Sequence, residues 1–274
     1  MITEPNPNIY DALQELDFCS IRPNVNFGPY SPAYIVSNES LRYDIGYFKP
    51  QKLDNVLTVA ASGDHPLWLK FKGAGNVTTF DITYNAKVIM NIKTAALSEL
   101  NLNEYNQLLN DLWNNRKILS VNNIDCILEH LSSRMVNYLQ GIYDEYPIFT
   151  YGHPASCPVC KLNDKDYKTM RQVVTAHFPF IWTDIANLDS KLEDKTYDFI
   201  HLSNIFDYTN HKTQKSVLQK LTKRLNPGGR ILMLTMLHND YYYNLKDVCD
   251  DIATKSHDLN FLDFKRDYVL EKTR

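Results

Sequence analysis

Two short segments of the chain are built for holding a nucleoside. Val56-Leu57-Thr58-Val59-Ala60 empties into a small-residue turn, Ala61, Ser62, Gly63 and Asp64, and a second run, Val77-Thr78-Thr79-Phe80, ends in an acid, Asp81. Leu67, Trp68, Leu69 and Phe71 supply the apolar side of a helix between them, so Val56 to Asp81 reads as one strand–helix–strand unit. In such a unit small residues let backbone amides approach a ligand, and an acid about 20 residues on accepts hydrogen bonds from ribose hydroxyls. A GxGxxG fingerprint would need further glycines where this chain has Ser62, Asp64 and Leu67, which disfavours a pyrophosphate. A nucleoside without phosphates needs less clearance. The alternative is an ordinary turn followed by an acid that faces solvent.

Other residue types invite chemistry. Asp184 ends a third apolar run, Phe178 to Asp184, and Ser203 and Asn204 end a fourth, Tyr197 to Asn204. Just beyond, Asp207 and Tyr208 offer a base and an orienting hydroxyl; Asp207 has the competing reading of a helix cap. Cys157 and Cys160 form a Cys-x-x-Cys pair, but a closed zinc site needs four ligands and only His153 and His177 are at hand. The pair reads as two loop cysteines, and no metal is expected.

The elements that must position these residues follow from periodicity. Ile89, Ile92, Ala96 and Leu100 form one helical stripe in Ala86 to Leu100, and Leu108 through Ile142 carries further helices that a simple strand–helix repeat does not require. Residues 101 to about 165 therefore read as an inserted helical cap. A helix from His211 to Leu225 stops at Asn226-Pro227-Gly228-Gly229, which launches a strand from Arg230 to Leu237. A helix near Asn244 to Thr254 and a closing hairpin, Asn260 to Arg266 with Asp267 to Glu271, complete the chain. Alternating strands and helices argue for an α/β protein with a mainly parallel sheet. Pro5, Pro7, Pro23, Pro29, Pro32 and Pro50 break residues 1–50 into an irregular arm, a candidate lid before a principal domain over 51–274.

Composition bounds the partners. The formal net charge of −3 gives no footprint for nucleic acid, and no segment approaches the roughly 18 apolar residues of a membrane span. Five cysteines, irregularly spaced, suit a reducing compartment, so a cytoplasmic location is expected. Several of the 18 tyrosines cluster early, at Tyr10, Tyr30, Tyr34, Tyr43 and Tyr47, and read as packing at the edge of the core.

A ligand turn after the first strand, acids ending the second and third, and a Pro-Gly-Gly turn before the fifth together resemble the class I S-adenosylmethionine-dependent methyltransferases. Val56–Leu100, with VLTVAASGDHPL and the Phe80-Asp81-Ile82 triplet, and Tyr197–Leu237, with FIHLSNIFDY, look like the family DUF3419, which contains the aminocarboxypropyl transferase of betaine-lipid synthesis. The resemblance implies a Rossmann-like class I methyltransferase fold with a seven-stranded sheet and an antiparallel C-terminal hairpin. It implies S-adenosyl-L-methionine as cofactor: Ala61, Ser62, Gly63 and Asp64 lining its methionine and ribose end, Asp81 on the ribose hydroxyls, and Ile82 against adenine. Asp184 and Ile185 would flank the adenine amino group, and Ser203 and Asn204 would stand beside the sulfonium.

The resulting expectation is transfer of the 3-amino-3-carboxypropyl group to a small molecule, lipid head group or peptide, releasing methylthioadenosine, with methyl transfer to a small molecule as the alternative. Asn204-Ile205-Phe206-Asp207 lacks the Asn/Asp-Pro-Pro-aromatic tetrad of base methylation. A catalytically silent interaction module of the same fold is a third reading, against which the ribose acid speaks.

Overall fold

The computed structural model describes residues 28–31, 33–37, 39, 41, 54–115, 124–141, 148–149, 159, 162–174, 177–235, 252–257 and 266–272. Its centre is a seven-stranded sheet. The strands are β2 (Asn55–Val59), β3 (Asn76–Asp81), β5 (Phe180–Trp182), β6 (Tyr197–His201), β7 (Leu225–Thr235), β8 (Ile252–His257) and β9 (Arg266–Lys272). Their order is β5-β3-β2-β6-β7-β9-β8. The first five run parallel, and β9 inserts antiparallel between β7 and β8. A mostly parallel sheet with this terminal antiparallel pair is the Rossmann-like class I methyltransferase arrangement expected from the sequence.

The alternation of strand side chains divides the core between two faces. Val56, Val77, Phe199 and Leu232 pack on one face with helices α1 (Asp64–Phe71) and α2 (Tyr84–Glu99). Leu57, Phe80, Ile200, Ile231 and Met233 pack on the other with Val217, Leu218 and Leu221 of the helix His211–Leu221. β2 is buried along most of its length, as a central strand covered on both sides must be. Helix α2 is buried nearly all round, because α3 (Leu102–Asn115), α4 (Ile124–Leu128), α5 (Ser133–Gly141) and α6 (Asp164–Val173) add a further layer in the region. Tyr105, Leu108, Leu112, Met135 and Tyr138 of the expected cap join the core cluster of β2 and α2. A two-stranded parallel pair, β1 (Ala33–Tyr34) with β4 (Ile148–Phe149), ties the arm to the insertion.

The last part of the chain departs from expectation. Ile252, Ala253 and Thr254, placed in a helix by the sequence reading, belong to β8, and the hairpin pairs Ile252–His257 with Arg266–Lys272. Six residue pairs with β9 outweigh a helical pattern only a few residues long. The strand expected from Arg230 begins at Leu225, and the Asn226-Pro227-Gly228-Gly229 turn is absorbed as an irregularity in its pairing with β6. The helix expected to reach Leu225 closes at Leu221 and continues as a 3₁₀ turn, Thr222–Arg224. Among the described residues no helix is long and apolar enough to cross a membrane.

Candidate functional site

The chain leaves β2 for β3 and β5 on one side, then returns to place β6 and β7 on the other. The carboxyl ends of β2 and β6 therefore part at a topological switch point, where open α/β sheets hold their ligands. A cavity of about 350 Å³ opens there. That volume lies within the range of small-molecule sites.

Asp81, the last residue of β3, stands at the cavity wall and is 8 % exposed. Its Oδ2 accepts from the Ala61 amide at 2.9 Å and its Oδ1 from the Thr83 amide at 3.1 Å. Burial is the largest influence on this carboxyl and raises its pKa to about 6 against those backbone donors. Ile82, Asp184 and Ile185 continue the wall, and Trp182 Nε1 donates to the Ile82 carbonyl at 2.7 Å. Asp184 also accepts from the Asn187 amide at 2.9 Å, so it holds its own loop.

Ala61, Ser203 and Asn204 also line the cavity, Ala61 directly against Asp81. Ala61 and Ser203, each just past a strand end, have φ of 46° and 53°. Two non-glycine residues in the left-handed region at one crevice are the kind of local strain that clusters at functional sites. Tyr208 lines the cavity and is 49 % exposed. Asp207 sits in the 3₁₀ turn Ile205–Tyr208, its amide donating to Asn204 O at 3.0 Å. The helix α7 (His211–Leu221) takes Asn210 as its cap, which accepts from the Thr213 amide. Ala33 and Tyr34 of the arm complete the wall.

Ser62, Gly63 and Asp64 serve another purpose in the geometry. Asp64 is fully buried in an ion pair with Lys93, Nζ to Oδ1 2.5 Å, and accepts from Ser62 Oγ at 2.8 Å and the Ser37 amide at 2.7 Å. It joins the turn, α2 and the arm. Gly63 has φ of +81°, and a Cβ there would lie 2.8 Å from the Met90 Cα. Its bareness lets α2 approach, as well as permitting the turn.

Beneath Ser203 lies a group the sequence reading did not single out. Glu39 Oε2 is 2.8 Å from His65 Nε2, and its Oε1 accepts from the Ser203 hydroxyl. His201, in the last position of β6, presents Nε2 3.9 Å from the same Glu39 oxygen and meets Thr58 Oγ1 through Nδ1 at 3.1 Å. Burial pushes Glu39 up, but the charge and hydrogen bond of His65, with His201 and Ser203, outweigh it and hold the carboxyl at about 2. Burial and the neighbouring His65 push His201 down to about 3, so its ring is neutral. The available signals were a histidine directly after Asp64 and another inside the apolar run FIHL. Cys157 and Cys160 lie outside the described residues.

No family model matches the chain, and no curated protein matches it. Similar solved structures include an O-methyltransferase from Bacillus cereus in complex with S-adenosylhomocysteine, 10 % identical over 100 % of this chain and 93 % of that one, TM-score 0.46. The N-methyltransferase NodS from Bradyrhizobium japonicum, also in complex with S-adenosylhomocysteine, is 10 % identical over 96 % and 99 %, TM-score 0.43. An rRNA methylase from Streptococcus thermophilus is 12 % identical over 85 % and 95 %, TM-score 0.42. Similarities of this size carry no statement about this chain's activity.

Proposed function

We propose that the cavity binds S-adenosyl-L-methionine and that the protein is a transferase using it. The observation that carries this reading is Asp81. The Ala61 and Thr83 amides orient its carboxylate at the cavity wall, with the Ile82 backbone as a further donor, and a carboxylate so held keeps acceptor capacity for ribose. Ile82 and Ile185 in the cavity lining supply apolar surface suited to adenine, and Asp184 lines the same cavity. Ala61, Ser203 and Asn204, in the wall of the same cavity with Tyr34, are the residues we assign to the methionine part. Ser62, Gly63 and Asp64 support that wall by fixing the turn and the arm.

The sulfonium, when bound, supplies three activated carbons. The chain's own task is then to aim one of them at an acceptor and keep water away. Tyr208, in contact with the cavity and open to solvent, is the candidate orienting hydroxyl; Asp207 beside it is the candidate base for a protonated acceptor. We further propose that the transferred group is 3-amino-3-carboxypropyl, on the resemblance of VLTVAASGDHPL and FIHLSNIFDY to a family that contains an enzyme of this transfer. A small molecule, lipid head group or peptide is the acceptor class that suits the charge of −3 and the absence of the base-methylating tetrad at Asn204-Ile205-Phe206-Asp207.

Mass spectrometry of the nucleoside product after turnover with cell extract tests the choice. Methylthioadenosine is expected. S-adenosylhomocysteine as the sole product would replace aminocarboxypropyl with methyl transfer and leave the cofactor reading in place.

A further inference from the structure

The structure assigns a second, deeper site: we propose that Glu39, His65 and His201 bind one divalent transition-metal ion of the zinc or iron(II) class. The three residues come from three separated parts of the chain: the arm, the first turn of α1 and the end of β6. Their candidate ligand atoms all lie within 4.8 Å of one another, and all three residues are buried. Two imidazoles and one carboxylate form a donor set that divalent zinc and iron take, whereas magnesium and calcium prefer oxygen alone. Bonds of about 2.0–2.2 Å to such an ion place neighbouring ligand atoms about 3–4 Å apart. Of the Glu39 Oε2 distances, the 3.9 Å to His201 Nε2 lies within that range and the 2.8 Å to His65 Nε2 falls just short of it.

The surrounding hydrogen bonds prepare the ligands. Thr58 Oγ1 lies 3.1 Å from His201 Nδ1 and 3.2 Å from the Val59 carbonyl oxygen, so the tautomer that donates from Nδ1 to Thr58 is compatible with both contacts. In that tautomer the Nε2 lone pair is available on the side of Glu39, with the orienting partner behind it that metal-binding histidines have. Ser203 secures the other Glu39 oxygen, and the Glu39 amide donates to Ser37 Oγ at 3.1 Å.

The bland alternative is a buried Glu39–His65 pair with His201 packed beside it. Among the described residues it leaves both His201 Nε2 and His65 Nδ1 without a hydrogen-bond partner. An ion bound through the two Nε2 atoms and Oε2 satisfies His201 and leaves only one. Nor does Lys93 provide the cation, since its ammonium is paired with Asp64. The sequence reading expected no metal on the ground that Cys157 and Cys160 lack enough nearby ligands, and it did not weigh positions 39, 65 and 201, which share no motif spacing. The inference is independent of the proposed cofactor.

The test is metal content. Full-length protein would be stripped with a chelator and incubated separately with zinc chloride, anaerobic ferrous sulfate and magnesium chloride. After desalting, elemental mass spectrometry would count the ions. About one zinc or iron per chain is expected, with magnesium retained at less than a tenth of that, and the stripped protein should melt at a higher temperature once zinc or iron is restored. His201→Gln and Glu39→Gln should each lower retention at least tenfold. If a variant does not fold, the stripped and reloaded natural chain still decides. Folded natural protein that retains less than a tenth of an equivalent of every metal, with an unchanged melting temperature, would overturn the proposal. So would stoichiometric metal that survives in a folded His201→Gln variant.

Discussion

Asp81 carries the account at the scale of single residues, because its environment sets both its geometry and its charge. Burial holds its carboxyl near 6, so the folded chain binds this proton more tightly than the unfolded chain, whose value is near 3.8. The stabilisation from that proton is full below about pH 4 and is lost as pH rises through 6. Ligand binding has the opposite sign, since ribose hydroxyls are best accepted by the ionised carboxylate. Adenosine and S-adenosylmethionine should therefore bind about tenfold more weakly at pH 5 than at pH 7. Calorimetry at the two pH values checks this, and a flat profile would remove the carboxylate from the contact. Asp207 makes a separate case. Asp207→Asn should slow single turnover at least tenfold with cofactor affinity nearly unchanged, as loss of a base does. Full activity would reduce Asp207 to a member of its 3₁₀ turn.

Between residue and fold stand the elements that the turn after β2 locks together. Gly63 lies against α2, and Gly63→Ala combines a disfavoured φ with a Cβ 2.8 Å from the Met90 backbone. It should cost about 1–3 kcal/mol in denaturant unfolding; a loss within a few tenths would mean that α2 yields easily. Lys93→Met leaves Asp64 buried without its cation and should cost about 3–5 kcal/mol, read from the urea midpoint. A variant as stable as the natural chain would show that Ser37 and Ser62 alone suffice to hold Asp64. The sequence displayed Gly63 and Asp64 clearly, yet gave no sign of their contacts with Met90, Lys93 and Ser37. Spacing within a strand–helix–strand unit reveals where a turn falls, and a contact with Lys93 or Ser37 depends on how a distant helix and arm fold back.

Across the whole molecule, the central strands and the turns that follow them were legible because apolar runs and turn residues mark both. Val56–Ala60, Val77–Asp81 and Tyr197–His201 are short runs rich in apolar, β-branched and aromatic residues, and in the folded sheet their order places the switch point. The edge of the sheet was less legible, since β8 gains its strand character from pairing with β9. The Glu39, His65 and His201 cluster was hidden for a related reason: its members meet only after the arm closes over β2 and β6. What unites these scales is the claim that the cavity at the switch point holds the adenosyl group through Asp81. Calorimetric titration of S-adenosylmethionine into the natural chain and into folded Asp81→Ala tests it most directly. One equivalent should bind to the natural chain and bind about 1.5–3 kcal/mol more weakly to the variant, the loss of a charged hydrogen-bond acceptor. Equal affinity in both proteins, or no binding to the natural chain, would contradict it.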